Sequence, residues 1–399
     1  MSAPPLQGMR VLDLSRIAAG PFCTMQLADL GAEIIKVERP GDGDDTRHMK
    51  PPESGGEAHF YLAFNRNKKS VALDLKTEEG RNVIHGLAAK CDMLIENFRP
   101  GVMARLGLDY EAMKARHPQL IYCSISSYGQ QGAMADRPGL DPVLQAEMGM
   151  MAVTGEPDGD PMRHPLSLTD LFVGLYASTA ILSAVIARTE TGRGQHIDLA
   201  LMDGAIAAMS NFAQYYLTSG EEPQRSGNTH SVAVPAAAFK ASDGMFYLAC
   251  GTNNLFERLC RNALERPELL DDERFRSNVE RLANRDMLMA LLEDIFAEES
   301  LGHWTAKFRA AGVPAGPVRT VSEAMESDEV KERDMVVTVP HRTAGEVRLV
   351  GSPFKLSETP VVDPVAPPLL GQHTEDVLRG LLEMDDAAIA RLRESGTIP

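Results

Sequence analysis

The sequence is poor in cysteine and tryptophan, and its cysteines are not spaced for metal binding. Among 399 residues there are one tryptophan and five cysteines, which stand at positions 23, 91, 123, 250 and 260. An odd number without a Cys-x-x-Cys pair argues against both a disulfide framework and a zinc site. We therefore expect no metal, no tightly bound cofactor and a reducing compartment, the cytoplasm.

Positive charge is also scarce. Lysine and arginine number 40 against 56 aspartate and glutamate residues, which gives a formal net charge of −16. Nucleic-acid binding requires a basic surface, so we expect no nucleic-acid partner. Anionic small molecules would need local cationic pockets.

Hydrophobic runs are short. The run nearest to a membrane span, 171–187, has about 17 residues and contains Ser, Thr, Tyr and Gly, so we expect a buried core helix and no membrane partner. The first residues lack the charged and apolar regions of a signal peptide.

The chain alternates between β-rich and helical stretches, beginning with its first forty residues. A strand at 11–14, a helix at 21–30 and a strand at 32–38 predict a parallel βαβ unit, with Pro21 in the first helical turn and Gly31 at the helix end. The alternation predicts a doubly wound α/β fold. Further strands are expected at 70–75, 93–98, 120–125 and 196–201, with helices at 77–90, 101–117, 169–188 and 203–217.

The pattern changes near residue 228. Two β-rich runs, 236–240 and 245–249, flank Ser242-Asp-Gly244 and predict a hairpin, and a helical stretch follows to Arg309. We expect a large α/β domain from 1–227, a small α+β domain at 228–325, and a linker and carboxy-terminal part at 326–399 that returns to the large domain. Strands are expected there at 346–350 and 354–356, and a helix at 374–393.

The end of the second predicted strand suggests a nucleotide-like ligand. The first strand-to-helix turn lacks Gly-x-Gly-x-x-Gly, which dinucleotide sites use to approach the pyrophosphate. Glu38 would suit the ribose of NAD, whereas Arg39, directly after it, would suit a ribose phosphate such as that of coenzyme A.

Asp170 is the most evident candidate for chemistry. Thr169 is a suitable N-cap, and Asp170 would then stand at the start of the apolar helix. The simpler interpretation is an acid that complements the helix dipole, worth about 0.3–1 kcal/mol. The alternative is a carboxylate nucleophile, ionised at neutral pH because an ordinary aspartate has a pKa of about 3.9.

Eight segments carry a family resemblance in a consistent order. They are Gly8–Leu14, Ala19–Pro21, Leu30–Gly41, Asn67–Ser70, Glu96-Asn-Phe-Arg-Pro-Gly101, Thr191–Gln195, Gly312–Pro317 and Pro368–His373. Together they resemble the class III CoA-transferases, a family that includes formyl-CoA transferase and the carnitine dehydratase and bile-acid-inducible proteins. Each segment alone is a weak pattern, but the eight cover nearly the whole chain.

The resemblance implies a discontinuous, Rossmann-like, CoA-binding large domain and a small domain in an interlocked homodimer. It implies that coenzyme A is a substrate and that Asp170 is the nucleophile. Its expected CoA-binding residues are Arg39 and Arg105 at the adenosine phosphates, with Leu73, Lys76, Asn97 and Phe98 lining the site. Without the family, Arg105 and Lys76 would be ordinary helix charges, and Asn97 a turn residue.

Two departures narrow the activity. Ala18 stands where formyl-CoA transferase has a glutamine that assists catalysis, which disfavours formate or oxalate as the acceptor. α-Methylacyl-CoA racemases have a proton-transferring histidine where this chain has Leu140, between Gly139 and Asp141. Leucine cannot transfer a proton, so racemisation is disfavoured.

The segments 36–47, 65–70, 121–125 and 252–254 resemble the branch of the family that moves CoA from succinyl-CoA to glutarate. Arg47, Arg163 and His230 are then candidates to bind the distal carboxylate of a dicarboxylate, although each would more simply be a surface charge. Other acceptors, such as a branched or hydroxylated dicarboxylate or a carnitine-like acid, stay open. So does a non-catalytic acyl-CoA-binding protein.

Overall fold

The computed structural model describes residues 3–399. Its strands are β1 (Arg10–Asp13), β2 (Glu33–Glu38), β3 (Glu53–Ser54), β4 (Glu57–Ala58), β5 (Lys68–Ala72), β6 (Met93–Glu96), β7 (Ile121–Ser126), β8 (His196–Ala200), β9 (Ala236–Lys240), β10 (Met245–Ala249), β11 (Ala315–Pro317), β12 (Val336–His341) and β13 (Gly345–Val350).

Its α-helices are α1 (Ala19–Asp29), α2 (His59–Phe64), α3 (Glu78–Ala88), α4 (Val102–Leu106), α5 (Tyr110–Arg116), α6 (Asp141–Glu147), α7 (Leu168–Thr191), α8 (Leu201–Ser219), α9 (Asn253–Arg258), α10 (Asn278–Ala283), α11 (Arg285–Ala297), α12 (Leu301–Ala311), α13 (Val321–Met325), α14 (Asp328–Glu332), α15 (Thr374–Leu382) and α16 (Asp386–Glu394). Short 3-10 helices cover Asp45–His48 and Pro267–Leu270, and a π-helical turn covers Leu259–Ala263.

Six parallel strands form a sheet in the order β5-β2-β1-β6-β7-β8. The chain moves outward from β1 through β2 to β5, and then returns to the other side of β1 at β6. Because all six strands are parallel, their carboxyl ends lie at one edge, and ligands of such sheets bind where the strand order reverses. The prediction of an α/β fold is confirmed.

Both faces of this sheet are buried. Side chains alternate along each strand, so Val11 and Ile34 face one core, whereas Leu12 and Ile35 face another. Helices α1 and α7 cover the first face, and α3, α5, α15 and α16 cover the second. A parallel sheet needs this cover on both sides, and it leaves the strand ends as the place for a ligand.

The chain forms two compact units, of which the first comprises the residues up to Met150, Arg163–Glu221 and Glu329–Pro399. The second comprises Met151–Met162 and Glu222–Asp328, and it contains the antiparallel sheet β11-β10-β9 with the predicted hairpin. Sequence patterns place 151–162 in the first domain. The structure groups it with the second unit, where Arg225 donates hydrogen bonds to the carbonyl oxygens of Ala152, Glu156 and Gly159.

Three predicted elements differ from the structure. The helix expected at 101–117 is divided into α4 and α5 at Gly107, which has a φ of 68°. The helix expected at 374–393 is divided into α15 and α16 after Glu383, which has a φ of 54°. No strand forms at 354–356, where Pro353 lacks a backbone donor, and β13 pairs with β12.

Within the described residues one helix, α7, is long and apolar enough to cross a membrane by length and composition, and 33% of its most apolar window is buried. Core helices of proteins that stay out of membranes can have this length and composition. Val173, Ala177 and Ile181 of α7 pack with α1 in the first core.

Candidate active site

A cleft of about 470 Å³ lies at the carboxyl ends of β1, β2 and β5. Four of the predicted CoA-binding residues line it: Arg39, Leu73, Lys76 and Phe98. The other lining residues are Leu14, Arg16, Val37, Glu38, Pro40, Asp42, Asp74, Leu75, Val102, Leu106 and Gly396. Apolar side chains beside charged ones suit a ligand with both a flat apolar ring and anionic groups.

The two predicted arginines differ in position. Arg39 lines the cleft, is about half exposed, and pairs with the carboxylates of Asp42 and Asp45. Such exposed ion pairs are weak, so a phosphate could replace either carboxylate. Arg105 is exposed on α4, whose Val102 and Leu106 reach the cleft while Arg105 does not line it.

Asn97 holds a loop beside the cleft. Its side-chain oxygen accepts from the backbone N–H of Arg16 at 2.8 Å, and its amide donates to the Arg16 carbonyl oxygen at 2.7 Å. The next residue, Ile17, has a φ of 70°, and Asp44 accepts from its N–H. Lys36 donates to the carbonyl oxygen of Ser15 at 2.9 Å. Polar side chains therefore hold the backbone of residues 15–17, and two of them, Lys36 and Asp44, are buried.

A second pocket of about 400 Å³ adjoins this loop. Arg16 and Phe98 line both pockets, and the second extends from Asn97 to Leu140 and Val143, at the start of α6. Arg16, Arg99 and Arg137 give it a cationic lining. The cleft at the strand ends thereby adjoins a pocket that reaches the region where α6 begins.

Helix α6 holds the start of α7. Asp141 is buried and accepts from the backbone N–H and the hydroxyl of Thr169, each at 2.8 Å. Gln145 donates to the other oxygen of Asp141 at 2.8 Å and to the carbonyl oxygen of Leu166 at 3.1 Å. Thr169 is therefore not the N-cap that its sequence position predicts. Ser167 occupies that place without a side-chain cap, and Asp141 provides the acceptor.

Asp170 is the third residue of α7 and is half-buried. Burial, together with the negative charge of Asp141, raises the pKa of its carboxyl to about 7. Within residues 3–399 its carboxylate has no hydrogen-bond partner. The expectation of an ordinary pKa with full ionisation at neutral pH is therefore wrong, because loss of water outweighs the helix dipole.

Arg47 cannot bind a substrate carboxylate in this structure. It is buried, and it donates to both oxygens of Glu38 at 2.8 Å and to both oxygens of Glu57 at 2.9 Å. The hydroxyl of Tyr61 accepts at 2.6 Å and the carbonyl oxygen of Pro368 at 3.1 Å. All five N–H groups of a guanidinium are thereby used. The prediction that Arg47 binds substrate is contradicted, because its position is structural.

The other two candidates for a distal carboxylate lie in different units. Arg163 is exposed in the first unit, five residues from the start of α7. His230 is exposed in the second unit, where its Nδ1 accepts from the N–H of Val232 at 3.2 Å and its carbonyl oxygen accepts from Arg285 at 2.9 Å. Neither ring nitrogen nor guanidinium is buried, so both remain candidates.

Sequence patterns miss the residues that position Asp170 and the loop at 15–17. The family resemblance draws attention only to Leu140, the residue before Asp141, although an aspartate with a glutamine four positions later is a recognisable helix pair. Lys36 and Asp44 look like ordinary charges of a strand end and a turn. Their burial becomes visible only once the sheet is formed, with β2 between β5 and β1.

The comparison with known proteins agrees with this arrangement. The model of CoA-transferase family III matches residues 6–374. The chain belongs to this family. It is an enzyme of the class III CoA-transferases, which use CoA thioesters and carboxylic acids as substrates. The prediction made from the eight sequence segments is confirmed.

Individual relatives are similar over nearly their whole length. The human protein named succinyl-CoA:glutarate CoA-transferase is 41% identical over 394 residues, which cover 99% of this chain and 90% of that protein. An acetyl-CoA:oxalate CoA-transferase of Acetobacter aceti is 41% identical over 369 residues, 92% of this chain and 93% of that protein. The crystal structure of a CaiB/BaiF family protein from Brucella suis matches with a TM-score of 0.86 at 41% sequence identity. The match covers 95% of this chain and 100% of that protein.

Proposed function

We propose that this CoA-transferase moves coenzyme A from succinyl-CoA to a dicarboxylate such as glutarate, with Asp170 as the nucleophile. One observation carries the proposal: Asp170 presents a half-buried carboxylate without hydrogen-bond donors at the start of α7. A carboxylate with few donors is a stronger nucleophile than a solvated one. The choice of substrates is supported by the names of the relatives, among them the human glutarate enzyme.

The proposed reaction exchanges acyl groups in four steps. The Asp170 carboxylate attacks the thioester carbonyl of succinyl-CoA, CoA thiolate leaves, and an aspartyl-succinyl anhydride forms. The thiolate then attacks the aspartyl carbonyl, which releases succinate and leaves an aspartyl-CoA thioester. The acceptor carboxylate attacks this thioester and expels the thiolate. The thiolate finally attacks the acceptor carbonyl, which gives the new acyl-CoA and restores Asp170.

Anhydride formation is uphill, because a carboxylate is a better leaving group than a thiolate. Binding energy from the remote part of CoA can offset this unfavourable free energy if the binding contacts are made in the transition state. We propose that the cleft at the strand ends binds the nucleotide, with Arg39 and Lys76 at the phosphates and Leu73 and Phe98 at the ring. Arg105 would approach the phosphates from α4.

The strand order supports a Rossmann-like description of the first domain. Numbered along the chain, the strands of the sheet read 3-2-1-4-5-6, which is the order of dinucleotide-binding folds. The reversal between β1 and β6 lies where Asn97 and Phe98 follow β6. A nucleotide is the ligand that such a crevice most often binds.

We also propose a homodimer, formed through α7 and α8. These helices expose large apolar side chains, including Ile186 at 69%, Ile206 at 50% and Leu217 at 74% of their full accessibility. Exposed apolar patches of this kind mark protein interfaces. The family resemblance adds that the two chains interlock. A cytoplasmic location is consistent with five free cysteines, of which four are buried.

The test of the nucleophile combines turnover with a covalent mark. Asp170→Asn should abolish exchange of labelled succinate into succinyl-CoA, and hydroxylamine added during wild-type turnover should convert Asp170 to a hydroxamate. Asp203→Asn is the matched control, because Asp203 is also a first-turn acid, on α8, and is exposed. Normal exchange by Asp170→Asn would refute the assignment.

The acceptor is tested with a panel of acids. Glutarate should exceed valerate in kcat/KM by at least about tenfold, because an unpaired cationic pocket disfavours an acid without the second carboxylate. Arg163→Ala and His230→Ala should reduce this ratio, and Arg47→Met should not. Oxalate belongs in the panel because of the Acetobacter relative. Equal rates for glutarate and valerate would refute the dicarboxylate assignment.

A further inference from the structure

We propose that Asp141 is a positioning residue for the reaction, which fixes the start of α7 and keeps a negative charge beside the nucleophile. The inference rests on the proposed role of Asp170. It concerns a residue that touches neither substrate in the proposed chemistry and that acts only through Thr169 and Asp170. It predicts that the charge of Asp141, apart from its hydrogen bonds, contributes to the rate.

The geometry assigns the positioning role. One oxygen of Asp141 accepts both the N–H and the hydroxyl of Thr169, the residue immediately before Asp170. The other oxygen accepts from Gln145, which also bonds to the segment leading into α7, at Leu166. A displacement of Asp141 would therefore move the backbone that carries Asp170. With an exposed fraction of 3%, Asp141 has little freedom to move.

The two carboxylates have opposite surroundings. Asp141 accepts three hydrogen bonds, which favour its anion, whereas Asp170 accepts none from the described residues. When two carboxylates lie close together, the one with fewer donors keeps its proton at higher pH. Asp170, which lacks donors, is thus the carboxyl of the two whose pKa is raised.

No other titratable group on the elements packed against α7 affects the pKa of Asp170. Those groups are Cys23 and Asp29 on α1, Glu147 on α6, Tyr122 and Cys123 on β7, His196 and Asp198 on β8, and Asp203, Tyr215 and Tyr216 on α8. The electrostatic influence on the nucleophile can therefore be changed by a single substitution.

The charge of Asp141 assists the first step in two ways. It makes Asp170 more basic, and basic carboxylates are better nucleophiles. It also repels the Asp170 anion, and this repulsion disappears when the carboxylate becomes a neutral anhydride or thioester. Only interactions that differ between ground state and transition state accelerate a reaction. A like charge beside the nucleophile is such an interaction.

The decisive variant is Asp141→Asn, which keeps an oxygen for Thr169 and removes the charge. The acidic limb of kcat/KM against pH should move about one unit lower, the size of effect that a neighbouring charge has. The rate on the alkaline plateau should fall about tenfold, with the KM for succinyl-CoA within twofold of wild type. Asp385→Asn is the matched control, because Asp385 also accepts a helix N–H, at the start of α16.

Two further variants separate charge from position. Asp141→Glu retains the charge, so its acidic limb should stay at the wild-type pH even if its rate falls. Thr169→Val removes one donor to Asp141 without changing shape, and kcat should fall several-fold at constant KM. If Asp141→Asn does not fold, the kcat of Thr169→Val decides whether Asp141 has the positioning role. A wild-type kcat there would overturn the positioning role.

The outcomes distinguish this inference from the proposed function. If Asp170→Asn retains exchange, the nucleophile is another residue and the proposed function fails. If Asp170→Asn is inactive while a folded Asp141→Asn has the wild-type pH profile and rate, only the role of Asp141 is overturned. A lower acidic limb together with a lower plateau supports both.

Discussion

Replacement of Arg47 by methionine should destabilise the protein without affecting the choice of acceptor. The change removes five donors and leaves the carboxylates of Glu38 and Glu57 buried and close together. Removing one partner of a buried ion pair typically costs about 3–5 kcal/mol. We expect a loss of that size in the free energy of unfolding, measured by urea titration at pH 7.

The loss should depend on pH in a defined direction. Burial raises the pKa of Glu38, but the hydrogen bonds and charge of Arg47, together with Lys36 and Ser70, outweigh it and hold the pKa below the ordinary value. A carboxyl with a depressed pKa stabilises the folded state above its unfolded pKa and loses this contribution as the pH falls. The difference between wild type and Arg47→Met should therefore be full at pH 7 and narrow below about pH 4.5.

Arg39→Met is the matched control, because the same change is made eight positions earlier on an exposed side chain. It should cost at most about 1 kcal/mol of stability, the usual value of a surface ion pair, and it should raise the KM for succinyl-CoA. The opposite result would refute the reasoning: an Arg47→Met protein as stable as wild type, with a lower ratio of glutarate to valerate turnover, would restore Arg47 as a substrate ligand.

Three further predictions concern single positions. Gly174→Val should lower the free energy of unfolding, measured by urea titration, by about 1–3 kcal/mol, since a Cβ at Gly174 would lie 2.9 Å from the ring of Phe22. Asn97→Ala should raise the KM for succinyl-CoA several-fold, because both hydrogen bonds to Arg16 are lost. An unchanged KM would contradict the role of the loop at residues 15–17 in binding succinyl-CoA. Asp170→Asn should be more stable than wild type, because the raised pKa of Asp170 makes its ionisation unfavourable only in the folded state. The gain in the free energy of unfolding should grow from about pH 4 to about pH 7 and then level off. A gain that is constant across this range of urea titrations would contradict the raised pKa.

Hydrophobic periodicity was sufficient to predict the sheet and its helices. Every residue of β7 is buried, because both faces of a parallel sheet are covered. The interruption between α15 and α16 could not be read in the same way, because it occurs at Glu383, a residue that rarely adopts a positive φ. Gly107 is different, since a glycine inside a helical pattern is a visible signal for a helix end.

The candidate site divides along the same line. Arg39, Leu73 and Phe98 lie together in the cleft because each closely follows the end of a parallel strand, which chain order reveals. Whether the guanidinium of Arg47 is free to bind a ligand depends on Glu57 and on the carbonyl oxygen of Pro368, which is 321 positions away. A lone charge in a sequence carries no record of such partners. The pKa of Asp170 likewise depends on burial and on Asp141, which a local pattern cannot measure.

Two buried charges of the first unit, Lys36 and Asp44, bond to the loop that borders both pockets. Lys36 lies between Asp44 and the Ser15 carbonyl oxygen. Burial lowers the pKa of Lys36, but Asp44, Asp13 and Glu38 outweigh it and keep the pKa raised. Ile17 adopts a left-handed backbone conformation, which costs a β-branched residue about 1–3 kcal/mol. Such strain persists only where the surroundings fix the backbone from several sides. Hydrogen bonds from neighbouring side chains meet this condition better than apolar contacts do, because they are directional. The loop therefore has its shape before any ligand arrives, and binding energy need not be used to order it.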